Sequence, residues 1–338
     1  MENNKQTNSE MKNPSSWEDL EKLGIGITWA WKNWIPKGFV TLLVGGVGLG
    51  KSTLALRICA SFLTGMDWLD GTKCTDEPGC VIWGEAESGH FMNLDRARRW
   101  QLPLNHILTI FADASENINL SNLEHRNCLE EVAERNNAKL IIIDSLRGAI
   151  EGDENNSEFI QQLKYLASLA QKKQIPIIVI HHLRKKAKYE SAETIDIDCI
   201  RGSSAISQIP RVIIGVNVPN SDYPDKRKLQ VIKNNLGRYP EPIGLTITDH
   251  GIEIVPIIER NADSQNNTQR DLAKDFIKDF LKDGFKPSTE IYNEGAKKGL
   301  NEQTLQRAKK ELGIIARREG RIWVWGFTDN EEPPLIYQ

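Results

Sequence analysis

A chain of 338 residues with 39% apolar content can bury a sizeable core and suits one large domain, alone or with a small companion. A formal net charge of −3 excludes whole-molecule attraction to nucleic acid or to an anionic membrane, so any basic site has to be local. No apolar run approaches a membrane span, no signal-like segment opens the chain, and five scattered cysteines without a CxxC pair read as reduced thiols of a cytoplasmic protein.

Residues 1–16, rich in Asn, Ser, Lys and Glu, predict a disordered tail, with structure beginning at Trp17. From there short apolar runs alternate with helical patterns. "FVTLLVGG", "CVIWGEAE", "ILTIFA", "AKLIIIDS" and "IPIIVIHH" predict strands, with helices over "STLALRICASFL", "NLEHRNCLEEVAERNN" and "EFIQQLKYLASLAQKK" between them. Unalternating Ile and Val runs need cover on both faces, which predicts an α/β fold with a mostly parallel sheet. The later runs "RVIIGVNV", "RKLQVIKN", "GLTITD" and "GIEIVPI" are separated by turns and predict an antiparallel extension of that sheet. The domain therefore spans 17–258. The polar stretch "NADSQNNTQ" predicts a linker over 259–269. Short helices and a basic hairpin over 270–330 suit a small winged-helix-like module, and 331–338 form a tail.

The stretch "GGVGLGKST" fits G-x-x-x-x-G-K-[ST] between a predicted strand and a predicted helix, the context this motif requires. Glycines let successive backbone amides turn toward one anion, and the helix start adds N–H groups of the same sense. Gly45, Gly46, Val47, Gly48, Leu49, Gly50, Lys51, Ser52 and Thr53 are thus the candidate phosphate cradle. Lys51 supplies a cation to the outer phosphates of ATP, and Ser52 a hydroxyl ligand for Mg²⁺.

The expected partner is a carboxylate at the end of a buried strand. Asp144 ends "LIIID", where an ionised side chain needs a cation, and hydrated Mg²⁺ is the natural one. Glu85 and Glu87 end "VIWGEAE", on one face by alternation, and either can polarise an attacking water. The adjacent His181 and His182 point to opposite faces of their strand, so they are poorly placed for one metal, and no third ligand has useful spacing.

Together and in this order, these stretches resemble the RecA-like ATPases, and more closely the RepA-like hexameric helicase branch of plasmid and phage replication proteins. "WIPKGFVTLLVGGVGLGKST", "VIWGEAES", "IIIDSLRGAIEGDENNS", "IVIHHLRK", "RGSSAISQIPRVI" and "VIKNNLG" carry the resemblance, from about Thr28 to Ile257. It implies that Lys51 and Ser52 bind phosphate and Mg²⁺, that Asp144 holds the metal, and that Glu87 rather than Glu85 is the catalytic glutamate. It further implies that His182 senses the γ-phosphate and that Arg211 is offered to a neighbouring subunit's ATP. Arg201 lies in a family motif. The sequence departs from the family near "VIKNNLG", where Lys233 is present but Asn235 replaces an arginine. Either Arg211 or Lys233 alone suffices, or turnover is slow.

In such rings the loop after the sensor strand faces the central channel, and here it carries Arg184, Lys185, Lys186 and Lys188. Clustered cations of this kind suit the phosphates of single-stranded DNA. In the C-terminal module, Leu305, Ala308 and Leu312 share one helical face, leaving Gln306, Arg307 and Lys310 outward. The hairpin then adds Arg317, Arg318 and Arg321 to this surface, a candidate DNA reader or, as other small winged helices are, a protein-docking module. The resemblance implies a Mg²⁺-dependent ATPase acting as a homo-oligomeric, hexameric ring on nucleic acid. Its role would be that of a replicative helicase of a plasmid, phage or other mobile element, partnered by a replication initiator or primase. The alternative is a nucleotide-switched DNA-binding or scaffold protein of replication or defence, without unwinding.

Overall fold

Runs of Ile, Val and Leu without polar alternation demand helices on both sides, and the chain supplies them. The computed structural model describes residues 16–22, 26–113, 116–151, 157–184, 194–202, 204–259, 262–320 and 322–327. Both predicted tails, apart from Ser16, lie outside these residues, as do Lys185, Lys186, Lys188 and Arg321.

A short helix α1 (Trp17–Lys22) precedes a small antiparallel pair, β1 (Trp29–Trp31) and β2 (Ile35–Pro36). The alternating part follows as β3 (Val40–Gly45), α2 (Lys51–Thr64), β4 (Val81–Glu85), α3 (His90–Arg99) and β5 (Ile107–Leu108). It continues with α4 (Leu123–Arg135), β6 (Leu140–Asp144), α5 (Ser157–Lys173) and β7 (Ile177–His182). Helix α6 (Ser204–Gln208) leads to β8 (Val212–Asn217), β9 (Arg227–Asn234), β10 (Ile243–Thr248) and β11 (Gly251–Ile254).

These strands make one sheet in the order β11-β10-β9-β8-β3-β7-β6-β4-β5. The strands from β8 to β5 run parallel, and those from β8 to β11 antiparallel. This mixed α/β architecture with a large, mostly parallel sheet fits the RecA-like core expected. Helix α2 packs on one face beside a stack of Trp31, Trp34 and Trp68, with ring centres 4.6 and 5.3 Å apart. Leu129 of α4 and Phe159, Leu163 and Leu166 of α5 cover the other face. No helix among the described residues is long and apolar enough to cross a membrane.

Two elements differ from expectation. The strand predicted over "ILTIFA" shortens to Ile107–Leu108 because it is the sheet's edge, with β4 as its partner. The segment expected as a linker is helical from Ala262, the start of α7 (Ala262–Phe280). Asn, Gln and Asp there cost a helix only tenths of a kcal/mol each, about 0.7 or less, which the apolar stripe further along offsets.

After α7 come β12 (Lys286–Pro287), α8 (Ser288–Lys297), α9 (Glu302–Glu311), β13 (Ile315–Glu319) and β14 (Ile322–Gly326). The strands form a separate sheet in the order β12-β14-β13. Ala273, Ile277, Ile291, Leu305 and Trp325 close a core of their own.

Candidate functional site

Strand β3 is central, so the loop after Gly45 emerges at the C-terminal edge of the parallel strands, where open α/β sheets bind ligands. Two glycines there are sterically required. Gly50, the N-cap of α2, has φ 84°, and a Cβ on it would meet Ile247 Cδ1 at 2.2 Å. A Cβ on Gly45 would meet Val216 Cγ1 at 2.6 Å. Val47 and Gly48 lie at the exposed tip of the loop, Gly46 and Leu49 are half-buried, and Thr53 is buried within α2.

Lys51 is only 6% exposed, and its ammonium donates to the carbonyls of Gly45 (3.1 Å) and Gly46 (3.0 Å). Burial lowers its pKa, with the charges of Asp144 and Glu87 opposing that shift. An ammonium held under its own loop by two weakly charged carbonyls is poised for a stronger acceptor above it.

Register brings the remaining groups to the same edge. Gly45 pairs with His182 across β3 and β7, and Glu85 with Asp144 across β4 and β6. Burial pushes the Asp144 carboxyl up to about 7, against a hydrogen bond from Ser52, and the charges of Glu85 and Glu87 push the same way. A carboxylate with a hydroxyl beside it forms an all-oxygen donor set for a hard cation such as Mg²⁺. Among the described residues no group of three or more His, Cys, Asp or Glu is arranged around a metal. Ser52 and Asp144 would therefore hold Mg²⁺ together with phosphate and water oxygens.

The two glutamates, equivalent by alternation, part company in space. Glu85 is 2% exposed, and its carboxylate accepts from Trp83 Nε1 (3.3 Å), Asn93 Nδ2 (3.1 Å) and the Glu87 amide (3.0 Å). It fixes the turn that follows it. Glu87 stands in that turn with its side chain 46% exposed. Its carboxylate accepts from the Ser145 hydroxyl and lies 3.3 Å from His182 Nε2. The His182 contact is the main cause that holds the Glu87 carboxyl down to about 2, with Ser145 adding to it and burial opposing.

The histidine pair separates as their strand requires. His181 is fully buried, with Nε2 2.8 Å from the Arg201 carbonyl, while His182 turns to Glu87. Ser145, Asn93 and Arg227 escaped sequence reasoning. Ser145 adjoins Asp144 and was within reach of it. Asn93 belongs to α3, which no apolar stripe announces. Arg227 Nε donates to the Leu49 carbonyl (3.0 Å) across 178 residues, bracing the loop from β9.

The other predicted residues lie away from this cluster. Arg211 is exposed just before β8, level with the start of β3, roughly 16 Å along the sheet from the loop. Lys233 donates to the carbonyls of Ser207 (2.8 Å), Gln208 (3.2 Å) and Pro210 (2.8 Å), so its charge is taken up locally. Asn235 is exposed beside it, its amide bonded to the Arg211 carbonyl (3.0 Å). Arg184 Nε donates to the Asp198 carbonyl (2.8 Å), at the base of the loop that Leu183 and Ile200 bridge. Arg307 and Lys310 are exposed on α9, as expected. Arg317 and Arg318, expected to act together, diverge because strand neighbours face opposite ways. Arg317 is bonded to Glu319 (2.7 Å) and lies 3.6 Å from the centre of the Phe285 ring.

A glycine cradle, a buried lysine and a strand-end carboxylate beside the first helical serine define a nucleotide-binding P-loop ATPase. The family model described as AAA domain (AAA_25) matches residues 7–188, more than half of the chain, and the chain belongs to that family. Among solved structures, a KaiC-like protein from the hyperthermophilic archaeon Pyrococcus horikoshii OT3 is similar at 16% identity with a TM-score of 0.49. The likeness covers 69% of this chain and 100% of that one. No curated protein matches.

Proposed function

We propose that this chain is an ATP-driven, ring-forming motor that acts on nucleic acid, with replicative DNA unwinding for a plasmid, phage or other mobile element as its task. The observation that carries this is the division of the ATPase parts between two edges of one sheet. Lys51, Ser52, Asp144, Glu87 and His182 gather at one edge, while the exposed Arg211 stands at the other. A cation that its own site does not use supports assembly in which one subunit completes the next, and a ring closes such head-to-tail contacts.

In hydrolysis, Lys51 would exchange its two loop carbonyls for the outer phosphate oxygens. Glu87, ionised throughout the physiological range, would orient the attacking water while Ser145 and Glu85 hold its position. Bound Mg²⁺ would offset charge on the phosphate oxygens beside Ser52 and Asp144. Arg211 from a neighbour would supply the remaining positive charge as the bond to the leaving phosphate breaks. A γ-phosphate competing for His182 Nε2 would loosen its contact with Glu87, so nucleotide state would reach the strand that feeds the basic loop from Arg184 to Lys188.

The C-terminal unit supports DNA binding as well. Helix, strand, two helices and a hairpin, with β12 pairing on β14, follow the order of a winged helix whose α9 would enter a groove. A second reading, a nucleotide-switched DNA-binding or scaffold protein, draws support from Lys233 being sequestered and Asn235 standing where related helicases carry arginine. A forked-duplex unwinding assay separates the two. The motor predicts ATP-dependent strand release that Lys51→Ala abolishes. Duplex binding that responds to nucleotide without any strand release would contradict it and favour the switch.

A further inference from the structure

The β13–β14 hairpin places an indole where the fold has no use for it. Ala316 pairs with Trp325 and Arg318 with Trp323, and alternate pairs share one face of the hairpin. Trp325 is 3% exposed, its ring in edge contact with Tyr292 of α8 and covered by Lys309 of α9 at 4.7 Å. Two residues toward the tip, Trp323 faces the same way but is 54% exposed, with Arg318 opposite. Trp325 has already closed the core. The second indole therefore serves something outside it.

The surroundings select the chemistry. Arg307 and Lys310 sit one turn apart on the exposed side of α9 and, like Arg318, make no ion pair among the described residues. On the hairpin Glu319 is committed to Arg317 (2.7 Å) on the opposite face, and in the last turn of α9 Glu311 is committed to Lys274 (2.6 Å) of α7. The exposed Ile315 and Ile322 also belong to that opposite face. Trp323 with the unpaired Arg318 opposite it, in the same unit as the exposed Arg307 and Lys310 of α9, offers an aromatic plane and cations, which complement the π-face of a base between phosphates and not an apolar protein patch.

We propose that Trp323 stacks on an unpaired base at a junction between duplex and single strand, with Arg307, Lys310 and Arg318 holding the adjoining phosphates. The inference rests on the reading of the C-terminal unit as a DNA binder and adds its substrate class. A groove-bound helix needs duplex and a stacking indole needs an unstacked base, and only a junction offers both at once.

The test uses the full-length chain with a forked duplex carrying 2-aminopurine at the first unpaired position, and a blunt duplex of the same sequence. Affinities are compared between variants, so that single-strand contacts elsewhere on the chain cancel. Trp323→Ala is expected to lower the preference for fork over blunt duplex about tenfold and to remove the quenching of 2-aminopurine, with blunt-duplex affinity unchanged. Trp323→Phe should keep part of both signals, which a misfolded hairpin would not. A Trp323→Ala protein with the parental preference and quenching overturns the stacking role, even where Arg307→Ala with Lys310→Ala still weakens binding to both duplexes. If that double variant leaves all DNA affinity intact, the DNA-binding reading of this unit falls too. If Trp323→Ala instead changes only the size of the protein assembly, the surface docks protein.

Discussion

At the scale of single residues, the site works by giving two similar carboxylates different surroundings. Glu85 is buried and accepts three hydrogen bonds, and Glu87 faces solvent with His182 and Ser145 at its side. Replacing Glu85 by Gln turns an acceptor into a donor against the Trp83, Asn93 and Glu87 donors. A loss of about 1–3 kcal/mol in stability is expected, read as a lower urea midpoint. Glu87→Gln should leave that midpoint nearly unchanged and cut turnover by about a hundredfold or more. The reverse pattern would transfer the water-orienting role to Glu85. His181 makes a second prediction. Burial holds its pKa down to about 4 from 6.5, against the hydrogen bond at the Arg201 carbonyl. Between those values the unfolded chain takes up a proton that the fold refuses, so stability falls as pH drops from 6.5 toward 4, by up to about 3 kcal/mol. Asp144 acts in the opposite sense, because its raised pKa stabilises the fold at low pH and that contribution is lost as pH rises through about 7. The diagnostic quantity is therefore the difference between parent and variant. His181→Gln should lose less stability than the parent between pH 7.5 and pH 5, and an equal loss in both would refute the assignment.

At the scale of elements, what was legible in the sequence was what is local. The phosphate loop is a contiguous motif, and Asp144 and His182 are polar groups that end apolar runs, so their position at a strand edge followed from composition. Helix α3 was not legible. Its buried residues are Asn93 and Ala97, while Phe91 and Met92 face solvent, which inverts the usual amphipathic signal. The brace from Arg227 to Leu49 was illegible for another reason, since only the antiparallel extension brings β9 beside the loop. Composition gave no sign of the start of α7, where polar residues that read as linker are carried into a helix. In the hairpin, a run of arginines looked like one basic tip, but strand alternation sends Arg317 to Phe285 and Glu319 and leaves Arg318 beside Trp323.

At the scale of the whole molecule, the account turns on incompleteness. One sheet edge carries the nucleotide machinery and the other carries Arg211, roughly 16 Å away, with Lys233 already spent on backbone carbonyls. Neither edge suffices alone if the cation acts between subunits. Mixing two inactive variants tests this most directly. On the proposed reading, Lys51→Ala would lack phosphate binding but retain Arg211, and Arg211→Ala would retain the nucleotide site but lack the cation, so each alone should hydrolyse ATP at least about a thousandfold more slowly than the parent. Mixed at equal amounts and allowed to exchange subunits, they should regain measurable ATPase activity, because some junctions then pair an intact site with an intact Arg211. Activity that stays at the level of the separate variants, or an Arg211→Ala protein with parental turnover, would contradict the account.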